Sequence, residues 1–407
     1  MAQVAAAETT QTDAVQAAGI RTCGEAVEAA RGIAEAAGER AADTEAQRML
    51  PVEIIGRLKE SGLFGVMRPA RFGGSELGYE ALVKSSAALA ERCGSTGWVF
   101  GVLCGHDWFL TQFDEQAQRD VWEGKPDALV STVFRLGGEA IETEGGFRLT
   151  NGEGRFCSGV DFADWVIVGG AIQREGALPE PSFFLVSRDD IEIVDDWYTA
   201  GLRGTGSRTI RIADALVPAH RRVSVADLQN GTTPAPADRP PLFHVPFVIS
   251  QPFSLIGTSL GLTAAALDGY ATALGRRGAG ADAEALAELS PSFARYAQMR
   301  LEYDNARAMV IANCQRLDQF EIGGLIEDSE RAQILFELAH AAQASRRIVN
   351  SVYELSGGSG IYDTSPIQRI WRDVNASAAH AAFVEDPAAA AAGRAMLGLR
   401  PSQSARR

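Results

Sequence analysis

The chain has 407 residues, 46% hydrophobic and 22% charged, an ordinary globular balance with room for two or three structural units. A formal net charge of -14 excludes nucleic acid or an anionic membrane as the main partner, because both need a positive footprint. Five dispersed cysteines (Cys23, Cys93, Cys104, Cys157, Cys314) form no CxxC pair and no zinc spacing, which fits a reducing cytoplasm better than a disulfide framework.

Residues 1–20 begin "MAQVAAAETTQTDAV", with neither a basic start nor an apolar core, and read as a disordered tail rather than a signal peptide. No apolar run approaches the roughly 18 residues that a membrane span requires. Over 21–127 the texture is helical, with good helix formers in "GEAVEAARGIAEAAGERAA" and apolar positions three and four apart in "LPVEIIGRLKESGLFGV". Over 128–228 it turns strand-like. "EAIETEGGFRLTNGEGRF" carries two hairpin signals, Gly145-Gly146 and Asn151-Gly152, and "DWVIVGGAI", "SFFLVS", "IEIVDDW" and "RTIRIADALV" follow as short β-branched runs. With no helix-length segment between them, these strands predict an antiparallel barrel or sandwich. "QNGTTPAPADRPP" then connects to a last unit over 229–407. Helical patterns there, near 246–275, 281–318, 326–356 and 365–384, predict a four-helix bundle followed by an alanine-rich tail.

The last pattern, "SPIQRIWRDVNASAAH", begins with a capping serine, Ser365, and with Pro366 at the first helical position. At roughly 100° per residue, Arg369, Asp373 and His380 lie within about 20° of one line. Geometry alone reads this face as an Arg369–Asp373 surface pair beside a satisfied histidine. Familiar chemistry is missing elsewhere. "GTGS" at 204–207 is followed by a strand pattern, where a dinucleotide fingerprint opens a helix. Walker A, HExxH and GxSxG are absent, and the five histidines show no ligand pair at helical spacing, so no metal site is expected.

Five ordered segments carry a resemblance across about 45–384: "RPARFGG", "GSTGWVFGVLCGHDW", "FCSGVDFADWVIVGG", "GLRGTGSRTIRIADALVPAHR" and "LSGGSGIYDTSPIQRIWRDVNASAAH". Together they resemble the flavin-dependent monooxygenases of the acyl-CoA dehydrogenase fold, the oxygenase components of two-component aromatic hydroxylases. The resemblance implies a mostly α fold around a central β domain, with an N-terminal helical domain and a C-terminal four-helix bundle assembled as a homotetramer. It implies reduced flavin (FMNH2 or FADH2) supplied by a separate NAD(P)H-dependent reductase, and O2 captured as a flavin C4a-hydroperoxide. A small phenolic, indolic or polycyclic aromatic then takes up the oxygen. True dehydrogenases of this fold follow the last helix with an "EGT"-type segment whose glutamate is the base; here "NASAAHAAF" supplies His380 instead. Two other enzyme readings remain, N-oxygenation of an amino sugar or amine and an acyl-CoA dehydrogenase, beside a catalytically silent scaffold.

Residue by residue, the resemblance gives His380 the role of holding or deprotonating a substrate hydroxyl, with His106 facing the same pocket. Ser158 falls near flavin N5, where its hydroxyl would steady the hydroperoxide, and Ser131 lines that pocket. Arg203, Thr205 and Ser207 approach the flavin. Gly357, Gly358 and Arg369 match the segment that meets flavin phosphate or a neighbouring subunit. Each has a plainer reading: a helix-end histidine, a Ser-Gly turn, an exposed arginine, a glycine helix stop. Trp98 and Trp165 read as core or wall. One departure stands out: Gly154 occupies a place where relatives carry tryptophan, which reshapes the expected cofactor-side wall.

Overall fold

The computed structural model describes residues 19–399, so the expected tail over 1–20 falls almost wholly outside the described residues, as do 400–407. Helix α1 (Cys23–Glu39) opens on a reciprocal cap in which Thr22 Oγ1 accepts from the Glu25 N–H and the Glu25 carboxylate accepts from the Thr22 N–H. Helices α2 (Ala41–Gln47), α3 (Val52–Glu60), α4 (Tyr79–Ala90), α5 (Gly94–Leu110) and α6 (Glu115–Trp122) complete the N-terminal unit. Every residue of α5 is buried, as expected of a helix enclosed on all sides. Glycines four apart admit it. A Cβ at Gly97 would meet Ala90 Cβ at 2.6 Å, one at Gly101 the Ser254 carbonyl oxygen at 2.2 Å, and one at Gly105 Ser254 Cβ at 2.6 Å. The close fit carries Trp98 and His106 to the β unit.

That unit is one sheet of β1 (Val130–Val133), β2 (Glu139–Thr143), β3 (Gly146–Cys157), β4 (Trp165–Gln173), β5 (Glu180–Ser187), β6 (Glu192–Val194), β7 (Arg208–Pro218) and β8 (Arg222–Ser224). The order is β6-β7-β3-β2-β4-β5-β8, with β1 also paired to β4. The sheet is mixed rather than antiparallel. β1 and β2 follow one another parallel to β4, at Val130–Val133 against Trp165–Val168 and at Ala140–Ile141 against Ile172–Gln173. No tight hairpin joins either to β4, so nothing forces the antiparallel direction. Of the two expected turns, Gly145-Gly146 does close the β2–β3 hairpin. Asn151-Gly152 instead lies within β3, where Asn151 takes a left-handed φ of 53 and pairing with β7 continues on both sides.

Alternation along the strands divides the apolar residues between two cores. Ile167, Phe183 and Leu185 join the helical core, whereas Val166, Val168, Phe184 and Val186 fill the interior of the rolled sheet. Helix α7 (Val225–Asn230) straddles the expected boundary at 228.

The bundle comprises α8 (Phe247–Gly278), α9 (Ala283–Asp318), α10 (Asp328–Leu355) and α11 (Pro366–Ala378), and α12 (Glu385–Met396) occupies what had read as an alanine-rich tail. Contrary to expectation, α8 is long and apolar enough by composition to cross a membrane, but 83% of its apolar window is buried inside this fold. It is the helix against which α4, α5 and α10 pack. Helix α11 starts as anticipated at Pro366, although Ser365 makes no side-chain cap. It stops at Ala378. His380 has extended backbone (φ -61, ψ 144) and caps a short turn over Ala381–Phe383. Arg369, Asp373 and His380 therefore do not share one helical face.

Candidate active site

Helix α5, strand β1, the end of β3, the 201–207 loop and the end of α11 meet around a string of hydroxyls. Trp98 Nε1–H donates to Ser158 Oγ at 3.1 Å. Ser158 and Ser207 hydroxyls are 2.7 Å apart, Ser207 and Thr205 hydroxyls also 2.7 Å, and Thr205 Oγ1 donates to the Leu202 carbonyl at 2.9 Å. The two ends fix the direction. Because a carbonyl only accepts, the Thr205 proton is committed, so Ser207 must donate to Thr205 and Ser158 to Ser207. Ser158 therefore meets any additional ligand as an acceptor, through a lone pair. Ser131 Oγ donates to the Ser158 carbonyl at 2.7 Å and lies 3.2 Å from Cys157 Sγ, which holds the strand end against β1.

Next to Ser158, β3 ends in a bulge between Gly154 and Cys157. Phe156 there has a left-handed φ of 67 and is 70% exposed, an uncommon combination for a bulky aromatic. Its ring meets Trp197 edge-on at 6.1 Å. A strained, uncovered ring beside a polar chain is the kind of surface a planar ligand covers. The Gly154 departure has a packing cause: a Cβ there would come 2.4 Å from Val133 Cγ1 and 3.0 Å from the Arg135 carbonyl oxygen, so β1 and its following loop fill the space a tryptophan would take.

On the other side of Trp98, the His380 ring lies edge-on at 5.9 Å. The Ala382 N–H donates to His380 Nδ1 at 3.2 Å, which requires a lone pair on Nδ1 and places the imidazole hydrogen on Nε2. Burial lowers the His380 pKa, reinforcing the neutral form. In this tautomer Nε2–H is a hydrogen-bond donor. His106 has the opposite arrangement: its Nδ1 faces the Val130 carbonyl at 3.0 Å and must carry the hydrogen. Burial pushes its pKa down to about 4.

The 201–207 loop is tied at several points. The Gly204 N–H donates to Ser95 Oγ at 3.1 Å, and the Leu202 N–H donates to Asp373 Oδ1 at 2.6 Å. Leu202 has φ 51, which costs a non-glycine residue roughly 1–2 kcal/mol. A hydrogen bond to a carboxylate contributes roughly 1.5–3 kcal/mol and offsets it. Arg203 is half-buried rather than exposed, and its Nε has no partner, as does the Thr96 hydroxyl on α5. A buried guanidinium nitrogen without an acceptor fits an incoming carbonyl or phosphate oxygen.

Not every residue singled out in the sequence joins this cluster. Arg369 forms no ion pair with Asp373, although both line a cavity of about 370 Å³ together with Glu35, Glu39, Glu91 and Arg92, a poor setting for a phosphate. Gly357 and Gly358 are exposed at the start of a short turn over Gly357–Ile361, where φ 57 at Gly357 ends the preceding helix. Conversely, Phe156 and the anchoring role of Asp373 were missed, and Trp98 had read as wall. Indole N–H groups seek acceptors when buried, and that was the available signal. Glu385, the next carboxylate after His380, is engaged by His340 at 2.8 Å.

The acyl-CoA dehydrogenase N-terminal domain model matches residues 24–124 and the corresponding C-terminal domain model residues 255–385. The oxygenase component of the FADH(2)-dependent resorcinol hydroxylase of Rhizobium sp. (strain MTP-10005) is 33% identical, the match covering 91% of this chain and 93% of that protein. The flavin-dependent monooxygenase oxygenase subunit HsaA of Mycobacterium tuberculosis (strain ATCC 25618 / H37Rv) is 31% identical over 90% of this chain and 93% of its own. The crystal structure of 3-HSA hydroxylase from Rhodococcus sp. RHA1 superposes with a TM-score of 0.88 at 28% identity, covering 93% of this chain and 98% of that one. The chain therefore belongs to the flavin-dependent monooxygenases of the acyl-CoA dehydrogenase fold, the oxygenase components of two-component aromatic hydroxylases.

Proposed function

We propose that this chain hydroxylates a small phenolic ring, using reduced flavin delivered by a separate NAD(P)H-dependent reductase. The observation that carries the reading is Trp98, whose indole N–H binds the Ser158 end of the hydroxyl chain while its ring borders His380. One wall thus separates a flavin side from a substrate side. On the flavin side, Phe156 offers a ring face, Ser158 a lone pair for an N–H donor, and Arg203 a free guanidinium nitrogen; Ser131, Thr205 and Ser207 hold these in place. Bound reduced flavin supplies two electrons to O2, so that one oxygen atom enters the ring and the other leaves as water.

On the substrate side, the His380 Nε2–H suits a phenol or phenolate oxygen as acceptor. Holding that oxygen fixes which ring carbon faces the flavin and favours the electron-rich phenolate. An amine awaiting N-oxygenation needs its nitrogen lone pair free for the incoming oxygen, so that nitrogen is not the acceptor that Nε2–H would hold. A dehydrogenase would need a carboxylate base here, and Glu385 is bound to His340. The five free cysteines support a reducing cytoplasmic setting. The exposed apolar residues Ile361, Tyr362, Val384, Met396 and Leu397 of the C-terminal unit support a homotetramer.

His380→Ala tests the assignment. With reduced flavin, O2 and a phenol that the wild-type protein hydroxylates, product should fall roughly 10²–10³-fold, the effect of losing one donor to the phenolate oxygen, while flavin is still consumed and peroxide appears. Near-wild-type product in this variant would remove His380 from the site.

A further inference from the structure

Asp373 sits mid-way along α11, is 4% exposed, and takes part in no ion pair among the described residues. Neither neighbouring arginine pairs with it: Arg372 pairs with Glu45 and donates to the Ala200 carbonyl, and Arg369 shares with Asp373 the lining of one cavity without an ion pair between them. The Asp373 carboxylate accepts the Leu202 N–H instead, at 2.6 Å. The residue before Leu202 is pressed onto the same helix, since a Cβ at Gly201 would lie 2.1 Å from the Arg372 carbonyl oxygen. Leu202 in turn is where the hydroxyl chain from Ser158 ends, and its carbonyl also accepts Trp197 Nε1–H at 3.1 Å. A carbonyl cannot pass a proton onward, so the chain is not a proton conduit. Its far end is an anchor.

We propose that Asp373 is a positioning residue for the flavin-side hydroxyls. By holding the Leu202 N–H, it fixes the left-handed turn that aims the Leu202 carbonyl at Thr205 and so sets the orientation of Ser207 and Ser158. The inference rests on the placement of Ser158 at the flavin side given above. It has a structural corollary: the helix that ends two residues before His380 also anchors the hydroxyls across Trp98. One element therefore aligns both halves of the site. Burying a carboxylate without a direct ion pair is costly, and burial pushes the Asp373 pKa up to about 6 although Arg372 and Arg369 nearby lower it. That cost is consistent with a carboxylate kept for its acceptor geometry.

Asp373→Ala removes the acceptor, whereas Asp373→Asn keeps one acceptor oxygen in the same shape and exchanges the other, charged oxygen for an NH2 group. Hydrogen–deuterium exchange of the flavin-free protein should show faster exchange at 201–207 for the alanine variant and wild-type protection for the asparagine variant. With chemically reduced flavin, O2 and an accepted phenol, the alanine variant should raise the peroxide-to-product ratio roughly fivefold or more, the effect of about one lost hydrogen bond, and asparagine should restore it. Gly201→Ala pushes the loop off the Arg372 carbonyl from the other side and should reproduce the alanine result if Asp373→Ala fails to fold. Unchanged exchange, or faster exchange with an unchanged ratio, would overturn the proposal, as would an asparagine variant as uncoupled as alanine. If the wild-type protein makes no hydroxylated product, the functional reading fails instead, and the exchange measurement still decides whether Asp373 holds the loop.

Discussion

Ser158→Ala deletes a single oxygen and changes two partners at once. Trp98 Nε1–H loses its acceptor and Ser207 Oγ loses its donor. Trp98 is 7% exposed, so its indole N–H is left unpaired in the interior at a cost of about 1–3 kcal/mol, a modest drop in the denaturation midpoint with the fold retained. The chemical effect is separable. The lost lone pair is the one that remains for a flavin-side donor, and one such bond is worth on the order of 1–3 kcal/mol, or roughly five- to hundredfold in the affected step. The assay mixes purified protein and dithionite-reduced flavin with oxygenated buffer and a phenol, then counts peroxide and product. Ser158→Ala should shift the balance towards peroxide. Ser158→Thr, which keeps a hydroxyl, should shift it less. The same partition in Ser158→Ala as in the wild type would refute the reasoning.

Other consequences follow from burial and surface. His106, held neutral with a pKa of about 4 against an ordinary 6.5, takes up no proton in the folded state until well after the unfolded chain has done so. Its contribution to stability is complete above about pH 6.5 and is lost as pH falls towards 4. Nuclear magnetic resonance titration should show this imidazole uncharged at pH 6, and a midpoint between 6 and 7 would contradict the assignment. Light scattering at micromolar concentration should give a homotetramer, whereas a stable monomer would leave the apolar residues near Ile361 and Met396 unexplained.

The helices were legible because their apolar spacing is long and regular, as in α8, α9 and α10, and the strands because β-branched runs alternate between two cores. The direction of β1 and β2 was not, since it depends on how the chain crosses back from each of them to β4, and local composition does not encode it. A similar limit explains Asn151-Gly152. The pair has turn chemistry, but long-range pairing of β3 with β7 overrides it. At the site, the hydroxyl residues Ser158, Thr205 and Ser207 stood out in the sequence, whereas their polarity required knowing which carbonyl ended the chain. The helical wheel placed His380 with Arg369 and Asp373 because it assumed an unbroken helix. The Ala382 N–H bonding to His380 ends that assumption and also sets the tautomer. Asp373 was noticed for the wrong partner, because its true one, the Leu202 N–H, is 171 residues away.

The central claim is that this chain inserts one atom of O2 into a phenolic ring using electrons carried by free reduced flavin. The most direct measurement is a single turnover with chemically reduced flavin, isotopically labelled oxygen and a panel of phenols, with neither reductase nor NADH present. The account predicts product carrying one labelled oxygen atom per flavin oxidised, and no NADH oxidation when the protein is later given NADH alone. Flavin oxidised only to peroxide with every phenol, product without the label, or NADH consumed by the protein unaided would contradict it.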